Sequence, residues 1–445
     1  LRVEGGDVAC LWGPIHGANL LDALREKVSD GEDIHTSSRQ AASFGRYQGF
    51  GCFRREDAPY YDHIWTRDAA RLLMEMTSAG ALDTVRRVLE KLFAYLRPSR
   101  PDRPSCWQRI ANAPECSARG TLPPDYLHDR ENDGHGLLLC AYGFLHRKGG
   151  LDDGWVRRFA PRLREAAEFF LWQMDNPDDS AFDGLLYSES EPSAGGGHDL
   201  YSNTAACLGL EETARMLEAA FPEPGDPART DAARCRDAAR RLREAMERRF
   251  TATDPRFGEI GTDTHVLFDG WSYGYRRFAP LFMTADVTGY DLHADHPVLF
   301  DRYARTLDAL ASEYLSPASG RMMGYGQGFI TQAVLLLDRY DLLDRYLHYA
   351  AAFCHHHHDL DLIVPEGVIL HPDGSCWYRN GDLGNSVQQA EILKVARLLC
   401  GLDDLDPTRA PRFIPRLPDA YDGFSLAGMP VAWSDGDGRI RTGRV

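Results

Sequence analysis

Acidic, basic and aromatic side chains recur where Gly-rich polar segments run into segments with helical periodicity. WTRDAA at 65–70 places Arg67 between Trp65 and Asp68, and ENDGHG at 131–136 contains Asp133. Carboxylates and Arg hold pairs of sugar hydroxyls, while aromatic rings stack on the apolar face of a sugar. Two carboxyl groups can also cleave a glycosidic bond, one protonating the leaving oxygen and one activating water. These junctions therefore indicate a carbohydrate site.

Later junctions of the same type carry further carboxylates. GGGHDLYSN at 195–203 follows DGLLYSESE, which contains Glu189 and Glu191, and GDLGNSV at 381–387 follows a PEG segment with Glu366. Two more junctions are FDGWSYG at 268–274 and YGQGF at 325–329. Tyr61, His198 and Trp377 complete the set of polar and aromatic candidates for binding a sugar.

The remaining pattern is mainly helical. Apolar residues at three- and four-residue intervals predict helices over 68–78, 81–96, 135–147, 155–174, 200–220, 230–249, 295–314, 327–339, 341–355 and 384–400. The segment 363–370 alone predicts a strand. Six junctions with paired helices between them indicate six helical hairpins closed into a ring, which would gather the junctions at one end. We expect one domain over residues 1–445, with a core over about 60–400 and both terminal extensions packed on it.

Composition excludes several functional classes. The chain has 445 residues, 50 Lys and Arg against 66 Asp and Glu, and 43% hydrophobic residues. This hydrophobic content can fill a large core, and an acidic chain without a long basic run is not expected to bind nucleic acid or a membrane. Ten cysteines without a compact framework favour a reduced, cytoplasmic protein. The composition carries no indication of oligomeric state.

Several of these residues also have ordinary structural interpretations. The carboxylate of Asp68, in the first turn of a helix, would interact favourably with the helix dipole. Asp133 could cap a helix, and Trp65 and Trp377 could belong to the core. The run His355–His358 follows a predicted helix, where only the residues three apart share a face, and no HExxH partner occurs. No metal and no other cofactor is therefore predicted.

The motifs resemble those of a known family. WTRDAARLLMEM at 65–76 resembles the W-x-R-D-x-x segment of glycoside hydrolase family 15, the glucoamylase-like enzymes among the six-hairpin glycosidases. ENDGHGLLLCAYGFL at 131–145 resembles the family's Q-x-D-G-x-G-x-x-L segment, and the regions at 183–210 and 364–391 are similar to those with its general acid and base. The resemblance covers about residues 60–400 and implies an all-α (α/α)6 barrel with minor β structure in its loops.

The resemblance also implies residue roles. Arg67, Asp68 and Asp133 would bind hydroxyls of the terminal sugar. Glu366 would be the general base and Glu189 the general acid, with Glu191 as the alternative acid. The implied reaction is hydrolysis of a terminal glycosidic bond with inversion, and the expected partner is a carbohydrate substrate.

Two other functional classes stay open at this stage. Sugar epimerases or isomerases and unsaturated-uronide hydrolases share the barrel, and His135, His198 and His265 together with an Arg67 that could bind a uronate favour that alternative. A non-catalytic carbohydrate-binding protein is the third possibility, and it would lack a carboxylate pair across a pocket.

Overall fold

The computed structural model describes residues 2–4, 14–20, 63–64, 66–98, 101–107, 110–111, 131–177, 184–188, 198–252, 266–267, 304, 322–323, 332, 334–335, 337–339, 341–343, 362, 367–370, 376–378, 386–399, 401–403, 412–413, 425–427, 430–434 and 440–444. The chain forms two compact units. The helical unit comprises Ile64–Thr77 and Ala81–Met283, and the mixed unit comprises Leu1–His63, Ser78–Gly80 and Thr284–Val445. The predicted single domain over 1–445 stays a prediction.

The long helices of the chain from Thr66 to Phe250 come in successive pairs. Their bounds are α1, Thr66–Ser78; α2, Leu82–Leu92; α3, Asn132–Arg147; α4, Asp153–Asp175; α5, Leu200–Ala220; and α6, Pro227–Phe250. A 3₁₀ turn over Phe93–Tyr95 extends α2. Short links at 79–81, 148–152 and 221–226 join the members of each pair. The observed bounds fall within a few residues of those predicted from periodicity.

Burial distinguishes the first helix of each pair from the second. The side chains of α3 and α5 are buried almost all the way round, including polar residues near their starts. The second helices bury one stripe only, such as Ala232, Cys235, Ala239 and Leu242 on α6, and expose arginines on the opposite side. A helix that is buried on all sides lies inside, and a helix with one apolar stripe faces solvent. The helical unit thus has the predicted alternation of inner and outer helices.

The inner helices α3 and α5 touch through glycine. A methyl group added to Gly136 would lie 2.4 Å from the carbonyl carbon and oxygen of Ala205, and one added to Gly209 would lie 2.7 Å from the oxygen of Gly136. Both distances are far inside van der Waals contact, so any side chain here would push the helices apart. Backbone contact therefore sets the spacing between α3 and α5 along the turns that follow Asp133.

Short strands accompany the helices of the helical unit. They are Ile110–Ala111, the pair Arg97–Pro98 with Ser105–Cys106, and the pair Thr251–Ala252 with Val266–Leu267. Another short strand, His63–Ile64, precedes α1. Periodicity cannot detect such strands, because two residues are too few to show an alternation.

The mixed unit contains most of the remaining strands. They are Arg2–Glu4 with Ser425–Ala427, Leu402–Asp403 with Arg412–Phe413, Pro430–Ser434 with Ile440–Arg444, and a three-stranded sheet of Met322–Met323, Gly367–Leu370 and Cys376–Tyr378. Gly367–Leu370 is the central strand of that sheet and lies in the segment predicted as a strand. Trp377 pairs with Ile369.

Helix α7, Ser386–Leu399, belongs to the mixed unit and lies within the predicted helix 384–400. Its side chains from Gln389 to Leu399 are buried. A shorter helix covers residues 14–20. The predicted helices 295–314, 327–339 and 341–355 lie largely outside the described residues, as do the histidines 355–358. Among the described helices, none combines the length and hydropathy that crossing a membrane requires.

Candidate functional site

Contacts within the helical unit join the starts of α1, α3 and α5, the inner helices of its described part. Arg67 at the start of α1 pairs with Asp133 at the start of α3. Asn132 of α3 donates a hydrogen bond to the carbonyl oxygen of Tyr187, 3.0 Å away, and the ring of Tyr187 meets that of His198 just before α5. Three of the six predicted junctions therefore meet at one end of the helical unit.

Arg67 lies between two buried carboxylates. Its Nε donates to Oδ2 of Asp133, and its Nη2 lies 3.8 Å from Oε1 of Glu131. All three side chains are nearly inaccessible, with relative exposures of 4% for Arg67, 5% for Glu131 and 0% for Asp133. Buried charges of this kind require opposite partners because leaving water is costly. The positive charge of Arg67 is therefore already matched by protein carboxylates.

Asp133 is not the helix cap that one interpretation of the sequence allowed. The N-cap of α3 is Glu131, and Asp133 lies within the first turn. Its Oδ1 atom has no hydrogen-bond partner among the described residues. Arg67 thus orients this buried carboxylate through one oxygen, and the other oxygen keeps its capacity to accept a hydrogen bond.

The residues next to Asp133 and Arg67 lie where the starts of α3 and α1 come close together. Gly134 follows Asp133, and a methyl group added to it would lie 2.1 Å from Oγ1 of Thr66. Asp68 follows Arg67 in the first turn of α1 and is 7% exposed. The starts of α1 and α3 thus approach each other at backbone distance, with three carboxylates and one guanidinium among them.

The start of α5 supplies a second group of residues. Asp199 is its N-cap, and Oδ1 of Asp199 accepts a hydrogen bond of 2.6 Å from the backbone N–H of Ser202. His198, immediately before the cap, is 3% exposed, and its ring lies edge-on to Tyr187 with centroids 5.4 Å apart. His198 therefore lies beside the segment that leads to Glu189 in the sequence.

Other predicted site residues lie outside the described residues. These are Tyr61, Trp65, Glu189, Glu191 and Glu366. The described segment 184–188 ends one residue before Glu189, and the strand Gly367–Leu370 begins one residue after Glu366. The backbone of Trp377 is described in the strand paired with Gly367–Leu370. The catalytic and binding roles of all these residues stay predictions.

Periodicity and motif spacing missed two asparagines, Asn132 and Asn203, as functional candidates. Both are fully buried and bond to the backbone of residues 186–187. The sequence does contain one indication of their role, because each asparagine lies in the first turn of a helix that is otherwise mainly apolar. Such a residue must have a partner inside the protein.

His135, by contrast, belongs to the core. Its Nε2 donates to the carbonyl oxygen of Ala166 at 2.8 Å, and its Nδ1 accepts from the backbone N–H of Trp107 at 3.1 Å. The rings of Trp107, Phe169 and Phe170 surround it at centroid distances of 5.0–5.2 Å. Burial lowers the pKa of His135 to about 4. Both ring nitrogens are occupied, so His135 cannot serve as the catalytic base of an epimerase.

Neutral His135 should make the protein less stable in acid. The unfolded state takes up a proton near pH 6.5 and the folded state only near pH 4, so the free energy of unfolding falls as pH drops between these values. The slope from one such group is at most about 1.4 kcal/mol per pH unit. His135→Gln keeps a donor toward Ala166 and removes the titration. We expect the free energy of unfolding of this variant, measured with urea between pH 4.5 and 7, to depend less steeply on pH. The slope should be smaller by up to about 1.4 kcal/mol per pH unit, which corresponds to one proton.

Burial also lowers the pKa of His16 to about 4, so part of the slope persists in this variant. Turnover of folded His135→Gln should fall by far less than the roughly 10²–10⁴-fold loss that follows removal of a general acid or base. An unchanged slope would contradict the neutral assignment, and a loss of that size would restore His135 as a catalytic candidate.

Metal binding has no support among the described residues. They contain no group of three or more His, Cys, Asp or Glu side chains placed to hold a metal ion. The polar groups of the described part of the site are its carboxylates, Arg67 and the ring pair of Tyr187 and His198.

Structural comparison identifies the fold. Thirteen chains of solved structures match. One is a bacterial glucoamylase complexed with acarbose, with 12% identity, a TM-score of 0.50 and 76% of this chain covered. Another is a metal-independent alpha-mannosidase of Streptococcus pneumoniae, solved in a non-productive complex with alpha-1,6-mannobiose, with the same identity, TM-score and coverage of this chain. The predicted fold, an all-α (α/α)6 barrel, is confirmed.

The two matches differ in length. This chain spans 49% of the glucoamylase and 85% of the alpha-mannosidase. The sequence matches no protein-family model, and it has no match among the curated proteins. The similarity thus concerns the fold, at an identity too low to transfer an activity.

Proposed function

We propose that the protein is a glycosidase that releases a terminal, uncharged sugar from an oligosaccharide or glycoconjugate, with inversion. The observation that carries this proposal is the cluster at the starts of α1 and α3, where Arg67, followed by Asp68 in the chain, pairs with Asp133 and Glu131. A group of carboxylates arranged by one Arg suits the hydroxyls of a sugar. The fold that surrounds the cluster is shared with a glucoamylase and an alpha-mannosidase.

The charge of the cluster supports an uncharged sugar. A uronate would bring its carboxylate to Arg67, which already faces Asp133 and Glu131. A third carboxylate at a guanidinium with two buried partners would be repelled by those partners. Arg67 is therefore not available to bind a uronate carboxylate, which argues against the unsaturated-uronide alternative. His135 cannot be the base of an epimerase, because both of its ring nitrogens are engaged in hydrogen bonds. His265 lies outside the described residues.

The proposed mechanism uses two carboxyl groups. Glu189, with Glu191 as the alternative, protonates the oxygen of the leaving group, and Glu366 removes a proton from the water that attacks the anomeric carbon from the opposite face. Inversion requires space for that water, so the two carboxyl groups should lie about 6.5–9.5 Å apart. Arg67, Asp68, Asp133, His198, Tyr61, Trp65 and Trp377 would bind and orient the terminal sugar.

A product assay tests this function. We would incubate the protein with a panel of aryl glycosides and oligosaccharides, beginning with alpha-glucosides and alpha-mannosides, and record the first-formed anomer by NMR. We expect a new reducing end whose anomeric configuration is opposite to that of the substrate. The Glu189→Gln variant controls for a contaminating glycosidase.

The other outcomes separate the alternatives. First release of the substrate's own anomer would contradict inversion but keep the glycosidase. Interconversion of free sugars without a new reducing end would indicate an epimerase. Saturable binding without turnover across the panel would indicate a carbohydrate-binding protein.

A further inference from the structure

The segment 184–188 is anchored by side chains of two inner helices. The Oδ1 atom of Asn203 accepts a hydrogen bond of 2.8 Å from the N–H of Leu186, and its Nδ2 donates to the carbonyl oxygen of Leu186 at 3.1 Å. Its Nδ2 also donates to the carbonyl oxygen of Asp199 at 2.8 Å. One side-chain amide of α5 thus pairs with both backbone groups of Leu186, in the manner of a neighbouring strand.

A second side-chain amide, on α3, binds the next residue of the segment, Tyr187. Nδ2 of Asn132 donates to the carbonyl oxygen of Tyr187 at 3.0 Å. The amide of Asn132 is itself fixed by Gln173 of α4, whose Nε2 donates to Oδ1 of Asn132 at 2.8 Å while its Oε1 accepts at 3.3 Å. Both asparagines are fully buried, and Gln173 is 6% exposed. Water therefore cannot replace these bonds, and losing one leaves a buried backbone group unsatisfied.

The position of this anchor in the chain gives it a functional meaning. Leu186 and Tyr187 lie three and two residues before Glu189. Consecutive Cα atoms are about 3.8 Å apart, so a chain held at Tyr187 limits the reach of the side chain two residues on. The same first turns of α3 and α5 carry Asp133 and adjoin His198. The proposed sugar-binding groups and the segment that leads to the proposed acid are therefore held by the same two helix starts.

We infer that Asn203, and Asn132 with its partner Gln173, are positioning residues that hold the general acid at the glycosidic oxygen. This inference rests on the proposed role of Glu189 in the glycosidase. The asparagines touch neither substrate nor reacting atoms; they act through the backbone of Leu186 and Tyr187.

Leaving-group dependence distinguishes positioning from general stability. A phenyl glycoside needs protonation of its oxygen as the bond breaks, whereas a 2,4-dinitrophenolate leaves with little help from an acid. A displacement of about 1 Å can cost on the order of 100-fold in rate. A displaced acid should therefore slow hydrolysis of the phenyl substrate alone, whereas partial unfolding slows both substrates equally.

The experiment compares Asn203→Ala with the unaltered protein on phenyl and 2,4-dinitrophenyl glycosides of the sugar identified by the product assay. We expect kcat/KM to fall on the order of 10- to 100-fold for the phenyl substrate and by less than about threefold for the dinitrophenyl substrate. The alkaline limb of the pH profile, which reports the acid, should also shift. Gln173→Ala, which leaves both asparagines in place, should show a smaller effect in the same direction. This variant replaces Asn203→Ala in the experiment if Asn203→Ala does not fold.

Thr213→Ala is the matched control. Thr213 is also fully buried on α5, but its hydroxyl donates to the carbonyl oxygen of Gly209 within the same helix. The control should lose stability while keeping the wild-type ratio of the two rates. Equal losses on both substrates in Asn203→Ala and Gln173→Ala would overturn the positioning role.

Glu189→Gln separates this inference from the proposed function. If Glu189→Gln slows the phenyl substrate selectively and the anchor variants do not, the inference fails and the assignment of the acid stands. If Glu189→Gln has no selective effect, the assignment fails and the inference fails with it.

Discussion

Glu189→Gln and Glu366→Ala should each lower kcat by several orders of magnitude while the far-ultraviolet circular dichroism stays unchanged. A general acid or base contributes about 10²–10⁴-fold to a rate, and removing the base also leaves the attacking water unactivated. The measurement is steady-state hydrolysis of an unactivated oligosaccharide. The acid variant should recover part of its rate on a dinitrophenyl glycoside, and the base variant should not.

Glu191→Gln is the matched control for this pair, since Glu191 lies two residues from Glu189 in the same polar segment. We expect its turnover to stay within a fewfold of wild type. The reverse result, with Glu191→Gln inactive and Glu189→Gln active, would transfer the role of acid to Glu191. Near-normal turnover of both Glu189→Gln and Glu366→Ala would refute the carboxylate pair.

The second large effect concerns the buried pair of Arg67 and Asp133. Arg67→Ala leaves the carboxylates of Asp133 and Glu131 without the guanidinium that lies between them. Breaking a buried pair from one side costs about 3–5 kcal/mol, mostly because the remaining charge stays buried. Asp133→Ala should be destabilising by a similar amount. Chemical denaturation of both variants gives the free energy of unfolding directly.

The double variant separates stability from function. Removing both partners deletes two of the three buried charges and leaves only that of Glu131. Arg67→Ala with Asp133→Ala should therefore destabilise less than the sum of the two single changes. Activity should stay lost in all three, because both side chains are proposed to bind the sugar. The exposed pair of Arg86 and Asp83 is the control, and Arg86→Ala should leave unfolding essentially unchanged. Strict additivity, or an active double variant, would contradict this account.

Much of the helical fold followed from periodicity because the inner and outer helices have different patterns. The outer helices show a single apolar stripe, as in α6, while α3 is apolar on nearly every side after its polar first turn. These patterns extend over many residues and predict both the type of each element and its layer. Short strands such as Arg2–Glu4, which pairs with Ser425–Ala427, depend on contacts with distant chain segments and leave no local pattern.

The site was predictable in its residue types and not in its contacts. The motifs pointed to Arg67 and Asp133 as sugar ligands, but nothing local shows that residues 66 positions apart bind each other. The roles of Asn132 and Asn203 depend on where the chain at 184–188 passes in space, which no spacing encodes. His135 had the chemistry of a catalyst, and only its full burial among Trp107, Phe169 and Phe170 identifies it as a core residue.

The glycine contact between α3 and α5 also bears on how such a site could evolve or be redesigned. At Gly136 and Gly209 the two helices approach so closely that neither position has room for a side chain. The distance between α3 and α5 at these two contacts therefore cannot be changed in small steps by a substitution at either glycine. New sugar specificities should therefore arise from changes in the loops that precede these helices, and selection experiments should find the first two turns of α3 the least tolerant part of the helical unit.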